Sequence, residues 1–190
     1  MKTISELVAE LSGIRDPEFT IDRVEGVLRS SPVDPASLGP YLSFEPTHYT
    51  RNLIYRSALF ELMTICWEAG QGSPIHNHAG QNCWMAAPIG RLAIQNYEVL
   101  ETDGRAYCKL GEADRQEMDA ARPAHVAPER PVHAVLNLAE YGARAVSLHV
   151  YSRPYDRCLV YSLEASTYRE VPLFFDTMFG RPAASGPAPD

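Results

Sequence analysis

The feature that most constrains this chain is a long succession of short apolar segments that begins near residue 47. The segments are rich in Val, Ile, Tyr and Thr and are separated by Gly, Pro and Asp, the pattern of antiparallel strands joined by tight turns. We predict strands at 47–55, 60–68, 74–77, 82–87, 91–101, 105–112, 116–118, 124–126, 132–138, 144–152 and 157–161. So many short strands with regular turn signals favour an antiparallel sandwich or barrel.

The N-terminal part has a helical character instead. Apolar residues recur at helical spacing in 4–11 and again in 21–28, and a stretch rich in Pro, Ser and Gly at 30–40 ends the helical part. We predict an N-terminal helical segment over 1–45 that packs on the barrel, a barrel with a metal site over 46–180, and a flexible tail over 181–190.

Composition and charge narrow the classes of function. The net charge is -7 and no basic cluster is present, which argues against nucleic acid as a partner. No apolar run approaches the roughly 18 residues of a membrane span, and the first residues lack the apolar core of a signal peptide. We therefore expect a monomeric cytoplasmic protein. Its four cysteines have no Cys-x-x-Cys spacing and are expected to be free thiols.

The stretch 70–90, GQGSPIHNHAGQNCWMAAPIG, places two of the six histidines one residue apart. On an extended strand, residues i and i+2 share a face, so His76 and His78 would project side by side, as chelating ligands of a metal ion do. Taken alone, the pair fits two ordinary surface or core histidines equally well.

The wider spacing resembles the cupin superfamily. The two histidines and Cys83 lie between Gly70 and Gly90 as in the first cupin metal motif, although Glu is usual at the position of Cys83. The segment PERPVHAVLN supplies His133 at the place of the histidine in the second motif. The resemblance implies an all-β-dominated fold, a double-stranded antiparallel β-barrel of the jelly-roll type with N-terminal helices, in agreement with the predicted strands.

Three histidines and no carboxylate are then available to a metal ion. Three imidazoles leave coordination positions open, which suggests catalysis, because a structural zinc site is normally closed by four ligands. Imidazole suits Zn, Cu, Fe and Ni alike, so the ligand type does not choose the metal. A third histidine in place of the usual carboxylate makes the site more positive and favours a substrate that brings its own anion, such as a thiolate.

Three segments also resemble the thiol dioxygenases, and the cysteine dioxygenases in particular. These segments are HYTRN at 48–52, CWEAGQGSPIHNHAGQNC at 66–83 and AVSLHVYSRPYDRC at 145–158. The resemblance implies a non-haem enzyme of cysteine catabolism with one Fe(II) per chain, which adds both atoms of O2 to the sulfur of L-cysteine and gives cysteine sulfinate. It implies that His76, His78 and His133 are the iron ligands.

The same resemblance assigns roles to other residues of these segments. Arg51 matches the arginine that binds the substrate carboxylate, a task that suits a guanidinium fork, and Tyr49 assists it. Ser147, His149 and Tyr151 alternate along a strand and therefore share a face. The resemblance implies that Tyr151 points its hydroxyl at the substrate and O2, held by the other two residues.

Cys83 matches a cysteine that is joined to the tyrosine at the position of Tyr151 by a thioether bond in the family. The resemblance therefore implies a Cys83–Tyr151 cross-link, which would tune activity, since many bacterial relatives have Gly at this position and still react. Without the resemblance, Cys83 would be an ordinary buried thiol and Arg51 an ordinary surface arginine.

One departure leaves the exact substrate open. Animal cysteine dioxygenases have Ser-Pro-Pro after the active-site tyrosine, with a Ser-Pro bond that is typically cis, whereas this chain has Ser152-Arg153-Pro154. The substitution places an additional cation beside the expected pocket. Arg51 still favours an α-amino acid thiol, because the 3-mercaptopropionate dioxygenases usually have Gln there.

Three alternatives to a cysteine dioxygenase stay open at this point. The first is a dioxygenase of another small thiol, such as 3-mercaptopropionate or cysteamine. The second is a non-catalytic metal-binding cupin, which would need neither the Ser-His-Tyr row nor a cross-linkable pair. The third is a zinc or nickel cupin isomerase, and those usually keep the Glu that Cys83 replaces.

Overall fold

The structure is a computed structural model that describes residues 1–183. Two α-helices, three short 3-10 helices and thirteen strands occur in this part of the chain. The helices are α1 (Ile4–Ser12) and α2 (Ile21–Ser30), with 3-10 turns at Asp16–Glu18, Pro35–Tyr41 and Ala139–Tyr141. The strands are β1 (Thr50–Arg56), β2 (Phe60–Trp67), β3 (Ile75–His76), β4 (Cys83–Ile89), β5 (Leu92–Thr102), β6 (Cys108–Met118), β7 (Ala124–Val126), β8 (His133–Leu136), β9 (Ala145–Ser152), β10 (Arg157–Ser162), β11 (Thr167–Pro172), β12 (Thr177–Met178) and β13 (Arg181–Pro182).

The strands form two sheets. The seven-stranded sheet has the order β13-β12-β1-β2-β9-β4-β7, and the six-stranded sheet has the order β11-β10-β3-β8-β5-β6. All pairings of named strands are antiparallel except that of β1 with β12. This is the double-stranded antiparallel β-barrel with N-terminal helices that the sequence predicts, and the predicted fold class is confirmed.

Alternation along β9 shows how the seven-stranded sheet divides two environments. Val146, Leu148 and Val150 belong to the hydrophobic cluster that contains the N-terminal helices. Tyr151 belongs to a second cluster, inside the barrel, with residues of both sheets. Because side chains alternate along a strand, Ser147 and His149 share the inner face with Tyr151.

The N-terminal helices cover the outer face of the seven-stranded sheet. Helix α1 begins at a capping box. The Thr3 side chain accepts a hydrogen bond from the backbone N–H of Glu6, and the Glu6 carboxylate accepts one from the backbone N–H of Thr3. Its buried residues Leu7 and Leu11 pack in the same cluster as Leu62 of β2. The helices thus fill a core outside the barrel, which is separate from the hydrophobic cluster inside it.

The structure corrects several element boundaries. The segments predicted as separate strands at 105–112 and 116–118 form the single strand β6, because β5 pairs with it along its whole length. Three strands after residue 162 were not predicted, and the stretch predicted to end the helical part contains the 3-10 turn Pro35–Tyr41. Arg181 and Pro182, placed in the predicted flexible tail, pair with β12, and residues 184–190 lie outside the described residues.

Two further predictions concern the chain as a whole. The four cysteines are free thiols and are buried, as the sequence predicts. Within residues 1–183, no helix combines the length and the apolar character needed to span a membrane.

Candidate metal centre

Three histidines converge inside the barrel. His76 ends β3 and is the direct partner of His133, which begins the neighbouring strand β8. His78 follows two residues after His76, and its ring centroid lies 4.7 Å from that of His133. The three residues each offer a ring nitrogen, and these nitrogens all lie within 4.8 Å of one another. The fold therefore brings together the three histidines that the sequence singled out.

Backbone carbonyls determine which ring nitrogen carries the proton in two of these histidines. The Nδ1 atom of His76 lies 2.9 Å from the carbonyl oxygen of Pro74, and that of His133 lies 3.0 Å from the carbonyl oxygen of Pro131. A carbonyl oxygen only accepts, so Nδ1 donates in both rings and Nε2 keeps a free lone pair. Such a second hydrogen bond is what orients a metal-binding histidine.

The histidines leave buried nitrogens without a protein partner. Both ring nitrogens of His78 and the Nε2 atom of His133 lack a hydrogen-bond partner within the described residues. Buried polar atoms are normally paired, so unpaired nitrogens on two neighbouring rings fit a ligand that is not protein. Three imidazole nitrogens are a donor set for a transition metal, so the residues present fit a metal ion.

Burial also keeps these rings neutral. Burial lowers the pKa of His76 to about 4, against the opposing hydrogen bond to Pro74. The pKa values of His78 and His133 fall well below their usual range, first through burial and then through repulsion by the other histidines. The three imidazoles are therefore deprotonated near neutral pH, the form that binds a metal ion.

A cavity of about 530 Å³ opens beside the histidines. Five of the predicted site residues line it: Tyr49, Arg51, His76, His149 and Tyr151. The other four are buried around it: His78, His133, Ser147 and Cys83. The outer part of the cavity is lined largely by apolar residues of the segment 171–175.

Arg51 brings a buried positive charge into this cavity. Its Nη2 atom lies 3.7 Å from the sulfur of Met63, and its Cζ atom lies 5.2 Å from the ring centroid of Phe175. Its Nη1 atom is buried and has no hydrogen-bond partner in residues 1–183. Burial lowers the pKa of Arg51, but neighbouring tyrosine phenols and a glutamate outweigh it and raise the pKa overall. The free donor of this guanidinium fits an anionic group such as a carboxylate.

A row of hydrogen bonds runs along the inner face of β9. The indole Nε1 atom of Trp67 donates to Ser147 Oγ at 3.0 Å, and Ser147 Oγ lies 2.8 Å from His149 Nε2. The Tyr151 hydroxyl lies 3.1 Å from His149 Nδ1. The three residues predicted to share a face therefore also contact one another in sequence order.

The direction of the protons in this row can be assigned. Burial lowers the pKa of His149 to about 3, so the ring is neutral and carries one proton. Ser147 finds no other acceptor for its own proton within the described chain, so it donates to His149 Nε2. The Nδ1 atom of His149 then donates to the oxygen of Tyr151. The phenolic proton of Tyr151 is left free to donate into the cavity.

Cys83 lies next to the end of this row. It is the direct partner of Tyr151 across β4 and β9, and its sulfur lies 3.8 Å from His149 Nδ1. Burial raises the pKa of the Cys83 thiol. The two residues of the predicted cross-link are thus neighbours, and the bond itself stays a prediction.

Polar cavity residues that the sequence analysis did not assign to the site include His48, Tyr155 and Asp176. The Asp176 carboxylate accepts a hydrogen bond from the backbone nitrogen of Arg51 at 2.8 Å and lies 3.1 Å from His48 Nε2. Tyr155 places its ring 5.2 Å from that of Tyr151. His48 and Tyr155 lie close in sequence to predicted site residues, and this proximity was the only indication of their place in the cavity. The sequence contained no indication for Asp176.

The side chain of Arg153, where this chain departs from the family pattern, points away from the cavity. The described residues contain no cis peptide bond, and Arg153 adopts a φ of 78°, the left-handed region that is costly for a residue with a side chain. Its guanidinium lies 2.9 Å from Asp16 in the N-terminal segment. Arg153 is absent from the residues that line the cavity, so its charge does not enter the substrate space.

Two sheets around a buried group of three histidines that could hold a metal ion define a cupin. A family model described as "Cysteine dioxygenase type I" matches residues 1–164. The chain belongs to this family.

The chain is similar to named relatives over most of its length. Cysteine dioxygenase type 1 of Rattus norvegicus is 28% identical over 181 residues, which cover 94% of this chain and 88% of the relative. The Homo sapiens protein of the same name is 27% identical over the same coverage. A double-stranded beta-helix protein from Klebsiella pneumoniae superposes with a TM-score of 0.49 at 14% identity, over 62% of this chain and 82% of that one.

Proposed function

We propose that this protein is an Fe(II)-dependent dioxygenase that adds both atoms of O2 to the sulfur of L-cysteine and gives cysteine sulfinate. The observation that carries the proposal is the buried Nη1 atom of Arg51, which lacks a partner in the described residues and shares a cavity with the group of three histidines. A thiol that also carries a carboxylate would use both features at once. The curated relatives, which are cysteine dioxygenases, support the same reaction.

The donor set fits an iron ion that is held by His76, His78 and His133. Bound there, Fe(II) would supply the redox chemistry by which O2 reacts with a thiol sulfur. The three neutral imidazoles would leave the ion its full positive charge, which favours a thiolate over a neutral thiol. The balance is simple, since one thiol and one O2 give one sulfinic acid and no further reductant is consumed.

The remaining residues bind and orient the substrate in this proposal. Arg51 would pair with the carboxylate and so fix the distance of the sulfur from the histidines. Tyr151, whose proton is not used in the row, would donate a hydrogen bond to a reacting oxygen or to the substrate, an electrostatic role. Ser147 and His149 would hold the Tyr151 hydroxyl in that direction.

Another small thiol is the second candidate for the substrate. 3-Mercaptopropionate also carries a carboxylate that Arg51 could bind, whereas cysteamine carries none and would leave the buried guanidinium unpaired. Arg51 therefore favours the two carboxylate thiols over cysteamine. The monomeric state and the cytoplasmic location expected from the sequence stay predictions.

The decisive experiment measures oxygen uptake by anaerobically Fe(II)-loaded protein with L-cysteine, 3-mercaptopropionate and cysteamine in parallel. Labelled O2 and mass spectrometry of the product show whether both oxygen atoms reach the sulfur. We expect the fastest uptake with L-cysteine and a sulfinate that carries two labelled atoms. Stoichiometric iron without uptake for any thiol would instead support a metal-binding cupin that does not catalyse oxidation.

A further inference from the structure

Tyr155 occupies a position in the cavity that the proposed function does not yet use. It lies in the connection between β9 and β10 and lines the cavity together with Tyr151 and Arg51. Its ring meets the ring of Tyr151 edge-on, with centroids 5.2 Å apart, and lies 6.2 Å from the ring of His78. Tyr155 is therefore close both to the metal-binding histidines and to the residue that binds the substrate carboxylate in our proposal.

The backbone around Tyr155 is held on both sides. Ahead of it, the nitrogen of Arg153 donates to the carbonyl of Leu59 at 2.9 Å. Behind it, the Asp156 side chain accepts a hydrogen bond from Arg56 at 2.6 Å, and its carbonyl accepts one from Leu173 at 2.9 Å. The ring of Tyr155 is thus presented to the cavity from a fixed backbone, as a binding residue requires.

The charges around Tyr155 define what its hydroxyl can bind. Burial raises the pKa of Tyr155 well above its usual range, although the guanidinium of Arg51 opposes the shift. The phenol is therefore protonated near neutral pH and is a hydrogen-bond donor. An anion that binds the free Nη1 atom of Arg51 would lie in the same cavity as this donor.

We propose that Tyr155 is a specificity-determining residue whose hydroxyl donates a second hydrogen bond to the substrate carboxylate that Arg51 binds. This inference rests on the proposed function for the identity of the substrate class, which it narrows to small thiols with a carboxylate. A carboxylate has several lone pairs to satisfy and can accept from more donors than the free Nη1 atom of Arg51 and the hydroxyl of Tyr49. Tyr155 would supply a further donor and would have nothing to bind in cysteamine.

The test compares the wild type with Tyr155→Phe, which removes only the hydroxyl. Dissociation constants are measured by anaerobic calorimetry of the Fe(II) protein, and kcat and KM are measured in air, for L-cysteine, 3-mercaptopropionate and cysteamine. We expect both the dissociation constant and KM to rise about tenfold for the two carboxylate thiols, the range for a lost hydrogen bond to a charged group. The values for cysteamine should change by less than about twofold. The matched control is Tyr168→Phe, because the ring of Tyr168 lies 5.7 Å from that of Tyr161 and does not line the cavity.

The possible outcomes separate the inference from the proposed function. Oxygen uptake in the wild type with unchanged constants in Tyr155→Phe would overturn the inference and keep the function. Equal losses for all three thiols would also overturn it, since that pattern belongs to a packing role. Weaker carboxylate binding in Tyr155→Phe, without uptake in the wild type, would keep the inference and remove the function. Failure of the wild type to bind either carboxylate thiol would overturn both.

Discussion

Cys83 and Tyr151 are direct partners on neighbouring antiparallel strands, and both side chains point into the barrel. Partners of this kind hold their Cβ atoms about 4.5–5.5 Å apart, which leaves little movement between a thiol and a phenol ring. The predicted thioether bond would thus require no rearrangement of the backbone. Its formation removes one hydrogen atom from the thiol and one from the ring, and O2 takes up both hydrogens together with their two electrons.

We expect the Fe(II)-loaded protein to acquire this bond during exposure to thiol and O2. Intact-mass measurement should show the loss of two hydrogens, and peptide mapping should join the segments that contain Cys83 and Tyr151. Cys83→Ser should abolish the change, whereas Cys66→Ser should not, because Cys66 belongs to the cluster on the other face of the sheet. We expect Cys83→Ser to keep measurable activity, since the link tunes the phenol and does not create it. Unlinked protein after many turnovers would contradict this prediction.

The metal assignment predicts that His133→Ala loses iron and turnover while the fold is retained. His133 lies on β8, and its Nε2 atom has no hydrogen-bond partner in the described residues. The substitution therefore removes a candidate metal ligand without leaving a partner of Nε2 unpaired. Metal analysis and circular dichroism check the two parts of the prediction. His125→Ala is the matched control, since its ring stacks on Trp84 at 5.3 Å outside the site. Iron at the wild-type level in His133→Ala would show that the ligand set is wrong.

The carboxylate role of Arg51 predicts a substrate-dependent loss in Arg51→Gln. KM for L-cysteine should rise about tenfold to a hundredfold, because the variant loses a charge-assisted hydrogen bond in a buried site. Steady-state kinetics with cysteamine should show a much smaller change. Arg153→Gln is the control, since that arginine pairs with Asp16 and lies outside the cavity lining. Similar losses for both thiols would remove Arg51 from the carboxylate site.

The residues that could be predicted from the sequence are those whose roles depend on local spacing. His76 and His78 are two apart, and Ser147, His149 and Tyr151 alternate, so strand geometry alone places each set on one face. The structure adds that β3 and β9 belong to different sheets and enclose the cavity from two sides. The barrel itself followed from the many short strands, which is a pattern with few physical alternatives.

What the sequence did not reveal depends on contacts between distant segments. Asp176 fixes the backbone of Arg51 from 125 residues away, and no local pattern marks it. The left-handed backbone of Arg153 turns its charge outward, although the sequence suggested an additional cation beside the pocket. The single strand β6 contains charged residues in its middle, and only its pairing with β5 shows that it is continuous.

Glu61 provides a prediction about stability that is independent of the metal. Glu61 lies on β2, where it pairs with Tyr151 of β9, and its side chain is fully buried. Neither carboxylate oxygen has a hydrogen-bond partner in residues 1–183, although the Nε atom of Arg56 lies 3.3 Å from Oε2. Burial raises the pKa of Glu61 above its ordinary value of 4.5, against the opposing charges of Arg56 and Arg51. The folded protein therefore holds a proton here that the unfolded chain releases as the pH rises above about 4.5.

The sign of the effect follows from this difference in bound protons. Between the ordinary pKa and the raised pKa the folded state binds more protons, so the contribution of Glu61 to the free energy of unfolding falls as the pH rises through that window. The side chain of Glu61→Gln cannot ionise, so the variant does not lose this contribution as the pH rises. Between pH 4 and pH 8, its free energy of unfolding should increase relative to that of the wild type by about 1.4 kcal/mol per unit of pKa shift. Urea unfolding over this pH series measures the difference, with Glu170→Gln, exposed on β11, as the control. A difference that stays constant over the series would mean that the pair with Arg56 holds Glu61 ionised throughout.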